Sequence, residues 1–539
     1  MTALHPDPLH AALDALFADT ADRPAPGCVL GVWREGEPSW MRAYGLASLE
    51  LGVPLQADSR LRIASVSKQF TVAAALLLER QGRLSQQDDI RQHLPELPEL
   101  PQVVRVGHLM RNTSGLPDML ELLRLGGVGL DQRVDREQLL QALVRNRHLN
   151  FAPGSRFLYC NSGFALLGLI TERLSGRSLD AQLREAFFEP LGMQSTRMVV
   201  ESDLPLPGLA TPYLGHGPGQ WRRAQHGFEH GGEGGLVSCL GDLLRWAAHL
   251  MRPVDGVPDL SAALAARQPL SEGGMSPYAH GLEHGTLDGM ATLGHGGLWP
   301  GFRTEFLLLP AQRLAIVLIS NDGMLNPYKK AREVARLLLD RPTPIPTARP
   351  GAAEAEAEAE ALSGEWLDAQ AGELLTLSTA GSGAPLMAQQ WGTPFELQQQ
   401  ADARWLPLRG AYEFEIPAPA LDEQGRLRLR LGAGREARLQ RLAQRPELPT
   451  GLDGVFCNRD AGLRWQIQGS QLQVEGPLLK PARAWTLRGL SEDLVELQSP
   501  GYWMQGSQLL RLQRDAAGRI CGFSLDSASI KGLLFQRCG

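Results

Sequence analysis

A chain of 539 residues is too long for one compact domain; about two to four are expected. Its 43% hydrophobic content is ordinary for a globular protein. No run approaches the ~18 apolar residues of a membrane-crossing helix, and a net charge of −6 without a basic stripe argues against nucleic-acid binding. The N-terminus, Met1-Thr-Ala-Leu-His-Pro-Asp-Pro, has neither a basic segment nor an apolar core after it. A cytoplasmic protein without a signal peptide is therefore expected. Cys28, Cys160, Cys239, Cys457, Cys521 and Cys538 stand singly, which indicates reduced thiols rather than a zinc ribbon or a disulfide framework.

In chain order, Val29–Trp33 reads as a strand, 34–37 as a turn and Ser39–Tyr44 as the returning strand. A helix is expected from Ser65 to Gly82, the glycine serving as its C-terminal stop. Further helices are expected at Arg136–Val144, Gly163–Leu174 and Leu240–Leu250, the last capped by Ser238 with Asp242 in its first turns. Strands return at Phe306–Leu309 and Leu314–Ile319, and a helix at Lys329–Leu339 closes this part. Strands at both ends with helices between predict one domain over residues 1–340, whose sheet joins the first and last segments. A linker, 341–361, opens with a proline-rich stretch and continues as Glu-Ala alternation. That alternation lacks an apolar face and reads as a solvated spacer. Then comes an internal repeat: Leu362, Gly364, Trp366, Ala371, Gly372 and Leu377 recur 90 residues later as Leu452, Gly454, Phe456, Ala461, Gly462 and Ile467. Short alternating strands with glycine turns make this two similar antiparallel barrels, 362–449 and 450–539.

The chain has five lysines, and Lys68 stands three residues after Ser65 at the start of an apolar run. On a helix these two positions share a face. Burial lowers an amine's pKa, so Lys68 is a candidate base and Ser65 a candidate nucleophile. Tyr159-Cys160-Asn161 supplies a phenol that can shuttle a proton and an amide that can hold the Lys68 amine and a substrate carbonyl. His295-Gly296-Gly297 lets a substrate approach the backbone, and the Leu298 N–H can pair with that of Ser65 as an oxyanion hole. His226-Gly-Phe-Glu229-His230 matches a zinc-protease pattern that needs a helix. The surrounding glycines disfavour one, so no metal or cofactor is expected.

Arg62-Ile-Ala-Ser-Val-Ser-Lys68, Asn112-Thr-Ser-Gly-Leu116, Pro153-Gly-Ser155, Tyr159-Cys-Asn161 and His295-Gly-Gly297 together resemble the serine hydrolases that share a fold with class C β-lactamases and D,D-peptidases. Among these the chain looks most like the D-aminopeptidases. The resemblance implies an α+β fold: a β-lactamase-like domain, an antiparallel sheet flanked by helices, followed by two small antiparallel β-barrels. It implies that Ser65 is acylated, that Lys68 and Tyr159 share the base and acid roles, and that Asn161, His295, Gly297 and Leu298 bind the substrate. That substrate would be a small peptide, amide or ester, with no nucleic-acid or membrane partner, and the assembly a homodimer. The lysine of the β-lactamase Lys-Thr-Gly motif is replaced at His295-Gly-Gly297, which argues against β-lactamase activity. In D-aminopeptidases a loop of the last barrel enters the site; the matching stretch, 476–485, has no carboxylate and carries Lys480 and Arg483. Release of N-terminal D-amino acids is the leading expectation. An esterase or D,D-peptidase of the same fold is the runner-up, and a catalytically silent binding protein the reading from another class.

Overall fold

The computed structural model describes residues 8–18, 24–129, 132–217, 219–341, 352–381, 384–391, 394–400, 402–407, 414–431, 435–475, 484–499 and 506–538. Its first part is built on six antiparallel strands: β1 (Cys28–Arg34), β2 (Trp40–Tyr44), β3 (Glu283–Leu287), β4 (Met290–Trp299), β5 (Phe302–Leu309) and β6 (Leu314–Ser320). They lie in the order β3-β4-β5-β6-β1-β2. The first and last segments therefore meet, with Cys28 opposite Ser320 and Arg34 opposite Leu314. β6 shows why both faces must be covered. Leu314, Ile316 and Leu318 join one apolar cluster, and Ala315, Val317 and Ile319 join another on the opposite face.

Helices fill both faces. Those used below are α1 (Lys68–Arg80), α2 (Met119–Leu125), α3 (Asn161–Ser175), α4 (Leu240–Met251), α5 (Pro327–Leu338) and α6 (Ala352–Leu362). α5 packs on β5 and β6 through Ala331, Val334 and Ala335. α4 lies on the other face, so close to β1 that a Cβ at Gly31 would sit 2.7 Å from the Leu244 side chain. α1 begins after a 3-10 turn, Ala64–Ser67, and ends short of Gly82, whose φ of +69° supplies the expected stop. Arg136–Val144 is helical as expected. The cap of α4 is not Ser238 but Cys239. Ser238 belongs to the short strand Leu236–Ser238 and meets Thr196 at 2.8 Å. Sheet pairing there outcompeted the serine's local capping preference.

Both repeats form eight-stranded antiparallel sheets. The last closes fully, from Gly454–Asn458 round to Leu533–Arg537. The middle one nearly closes: among the described residues its end strands, Trp405–Pro407 and Phe414–Glu415, are joined through a bridge between Trp405 and the next residue, Ile416. The repeat extends to register. Gly364 pairs with Leu377 as Gly454 pairs with Ile467, and Arg441 lies opposite Trp366 as Arg537 lies opposite Phe456.

Two further expectations are corrected. The Glu-Ala segment is helix α6, not a solvated spacer. Alanine and glutamate favour helix, and Ala359 and Leu362, three apart, bury against the middle barrel. Glu358 fixes the docking by accepting from Gln399 and Trp405. Nor are all six cysteines free thiols: Cys457 and Cys538 form a disulfide across a sequence separation of 81 residues. Spacing gave no sign of it because the two meet only where the last barrel closes.

Candidate active site

Ser65 sits where the chain turns from β-structure into α1. The preceding Ala64 holds a φ of +48°, a conformation L-residues rarely adopt. Ser65 is only half-buried, whereas Lys68, on the first turn of α1, is fully buried. The Lys68 amine donates to Ser65 Oγ at 3.1 Å, Asn161 Oδ1 at 2.8 Å and the Glu233 carbonyl at 2.7 Å. Burial pulls its pKa down from 10.5 to about 7; Glu233, Asp118, Cys160 and Glu283 oppose that fall without cancelling it. Lys68 is thus a base near neutrality, hydrogen-bonded to a hydroxyl.

Tyr159 and Asn161 reach the site through the Asn112–Leu116 turn. Asn112, at a φ of +56°, accepts Leu158 N–H at its carbonyl and Cys160 N–H at Oδ1, both at 3.0 Å. This holds the chain extended up to the start of α3. The Tyr159 ring then faces the Lys68 amine at 4.8 Å and lies 6.0 Å from the His295 ring. A cation over a phenol ring is attractive.

β4 completes the site. β3 pairs only with residues 290–294, so His295–Trp299 present an edge beyond it, against the turn that carries Ser65. A Cβ at Gly297 would lie 2.3 Å from the Ile63 carbonyl, so only glycine permits this approach. Leu298 is 41% exposed on that strand. His295 is buried, and both ring nitrogens meet protein groups: Nδ1 the Gly296 carbonyl at 2.6 Å, Nε2 the Tyr278 hydroxyl at 2.9 Å. A carbonyl can only accept, so Nδ1 carries a proton and donates to Gly296. The structure thus gathers Ser65, Lys68, Tyr159, Asn161, His295, Gly297 and Leu298 around one place.

Sequence reasoning missed three residues here. Asp118 is buried and accepts from Asn161 N–H at 2.6 Å and from Asn161 Nδ2 at 3.0 Å. Its signal was legible: an aspartate before an apolar helix, with Glu121 three residues on. Tyr278 carries no local signal. Glu233 pairs with His230 at 3.1 Å, both buried, and His230 stacks edge-on against Trp299 at 4.1 Å. Burial holds His230 below its usual pKa, so a neutral imidazole donates to the carboxylate. The zinc-protease pattern is not on a helix: residues 226–230 are irregular apart from a bridge at Phe228, and Glu229 accepts from Arg136 N–H instead. Among the described residues no cluster of three or more metal-ligating side chains occurs. A cleft of about 420 Å³ lies where residues 146–152 meet the last barrel, but none of the site residues line it.

The beta-lactamase family profile matches residues 13–341, the span that carries all of these groups. The chain belongs to the beta-lactamase family. A D-aminopeptidase from Brucella anthropi is 28% identical over 525 residues, covering 95% of each chain. One from Brucella canis is also 28% identical, covering 95% of this chain and 96% of its own. An octameric penicillin-binding protein homologue from Pyrococcus abyssi superposes over 98% of both chains, with a TM-score of 0.55 and 17% identity. A D-amino acid amidase from Ochrobactrum anthropi SV3 covers 62% of this chain and 99% of its own, with a TM-score of 0.53 and 21% identity. The likeness thus spans nearly the whole chain for some relatives and 62% of it for another. The loop expected at 476–485 falls largely on 476–483, outside the described residues. Glu475, just before it, is committed to Arg464 at 2.7 Å. No helix among the described residues is long and apolar enough to cross a membrane.

Proposed function

We propose that this chain is a serine hydrolase that releases N-terminal D-amino acids, such as D-alanine, from small peptides, amides or esters. The observation that carries the chemistry is the buried Lys68 amine, with a pKa near 7, within 3.1 Å of Ser65 Oγ. The full-length D-aminopeptidase relatives support the substrate class.

In this reading neutral Lys68 takes the Ser65 proton as Oγ attacks the substrate carbonyl. The oxyanion forms against the Ser65 and Leu298 N–H groups. Collapse expels the amine, which takes a proton from the Lys68–Tyr159 pair, and leaves an ester on Ser65. Water, deprotonated by the same pair, then hydrolyses that ester. Asn161 holds the Lys68 amine, and Gly297 keeps the cleft open for the acyl group. Residues 1–340 form the catalytic unit, with the 362–449 and 450–539 barrels as its companions.

Hydrolysis of D-alanine p-nitroanilide tests the reading. Ser65→Ala is expected to lose at least about 10³-fold in kcat, and to lose labelling by a fluorophosphonate seen as intact mass. Activity on simple esters alone would replace the aminopeptidase with an esterase. No labelling of the wild type would leave a binding protein. A homodimer is the proposed assembly, checked by light scattering. The proposed cytoplasmic location is checked by trapping thiols at lysis: Cys457 and Cys538 recovered reduced would support it, and recovered bridged would favour an oxidising compartment.

A further inference from the structure

We infer that Asp118 is a positioning residue for the Lys68 base, acting through Asn161. This rests on the reading of Lys68 as the base. The Asn161 amide could present either its oxygen or its nitrogen to Lys68, and only the oxygen can accept from the amine. Asp118 settles the choice. Its Oδ2 accepts from Asn161 Nδ2 at 3.0 Å and from Asn161 N–H at 2.6 Å, which turns Asn161 Oδ1 to the Lys68 amine at 2.8 Å.

Asp118 is itself fixed. Its Oδ1 accepts from Leu120 N–H at 2.9 Å and Glu121 N–H at 3.4 Å, capping α2. The next residue, Met119, donates its N–H to Ser162 Oγ at 2.7 Å, and Ser162 donates to the Pro117 carbonyl at 2.8 Å. The start of α2 is therefore stitched to the start of α3. Burial pushes the Asp118 carboxyl upward, yet all four of its hydrogen bonds come from N–H donors, an arrangement that favours the carboxylate. A buried anion beyond Asn161 then helps keep Lys68 from losing its proton too readily. Glu233, Cys160 and Glu283 act in the same direction on Lys68, the nearby buried His230 is neutral, and the Tyr159 ring lies at 4.8 Å from the amine.

The test measures the rate of Ser65 acylation by a fluorophosphonate against pH, in the full chain. Wild type is expected to gain rate through an acid limb near pH 7. Asp118→Asn keeps the shape but removes the charge; it is expected to slow labelling about tenfold and to move that limb down by about one unit. Asn161→Ala is expected to slow labelling about 100-fold, and adding Asp118→Asn to slow it no further, because both act through one contact. Asp118→Ser retains a helix cap, and carries the same test if the asparagine variant melts early. A wild-type limb and rate in both Asp118 variants, or losses that multiply in the double variant, would overturn the inference while leaving the hydrolase standing. An unlabelled wild type would instead overturn the hydrolase, and this inference with it.

Discussion

The two barrels share a repeat but treat their surroundings differently. In the middle barrel Trp366 donates its indole N–H to the Leu362 carbonyl, at the end of α6 within the same unit. Its core is a separate cluster. In the last barrel Trp465, standing where the middle one has Leu375, donates to the Leu125 carbonyl of α2. Its core runs continuously into that of the catalytic part. Asn150 adds bonds to Ser529 and Lys531. The repeat thus dictates strands and register, while a few large side chains decide which copy becomes part of the catalytic unit. The docked copy grips the far end of the helix whose start holds Asp118.

Breaking the docked anchor should have the largest effect. Trp465→Ala removes a buried indole at a cost of about 3–5 kcal/mol, and is expected to lower both the melting temperature and the Ser65 acylation rate. Trp366→Ala should cost a similar ~3–5 kcal/mol but leave acylation at the wild-type rate below its own transition. Equal loss of activity in the two would erase the contrast. Cys457→Ser with Cys538→Ser should destabilise the last barrel by about 2–4 kcal/mol, read by thermal melting against a reduced wild-type control. Smallest of all, Arg430→Ala should change stability by less than about 1 kcal/mol, since its pairs with Glu415 and Glu436 lie at the surface of the middle barrel.

Stability against pH sharpens the account of the site. Lys68 titrates near 7 when folded and near 10.5 when unfolded. The unfolded chain therefore binds more protons between these values, and stability rises with pH across that window. Lys68→Met is expected to melt above the wild type at pH 6, with the gap narrowing from pH 7 to 10. A gap independent of pH would mean that the amine is not held in a low-dielectric setting.

Much of this was legible in the sequence because the chemistry rests on local patterns. Ser65 and Lys68 are one helical turn apart, and the glycine pair after His295 marks a close approach. Strand and helix positions in the first part followed from hydrophobic period. The 90-residue repeat was visible in the sequence, and the structure carries it into the pairing of Gly364 and Gly454. What escaped notice depends on distant partners. Tyr278 matters only because β4 brings His295 beside it, and Cys457 meets Cys538 only when a barrel closes. The Glu-Ala segment was misread because its two buried positions, Ala359 and Leu362, gain meaning only against the barrel they touch.

The most direct measurement is the pH profile of Ser65 acylation in the wild-type chain, followed by intact mass. A rate that climbs through an apparent pKa of about 7 is the result expected for the buried Lys68 amine as the base. A rate that climbs only toward pH 10, the range of an ordinary lysine, or a chain that never acquires label, would contradict it.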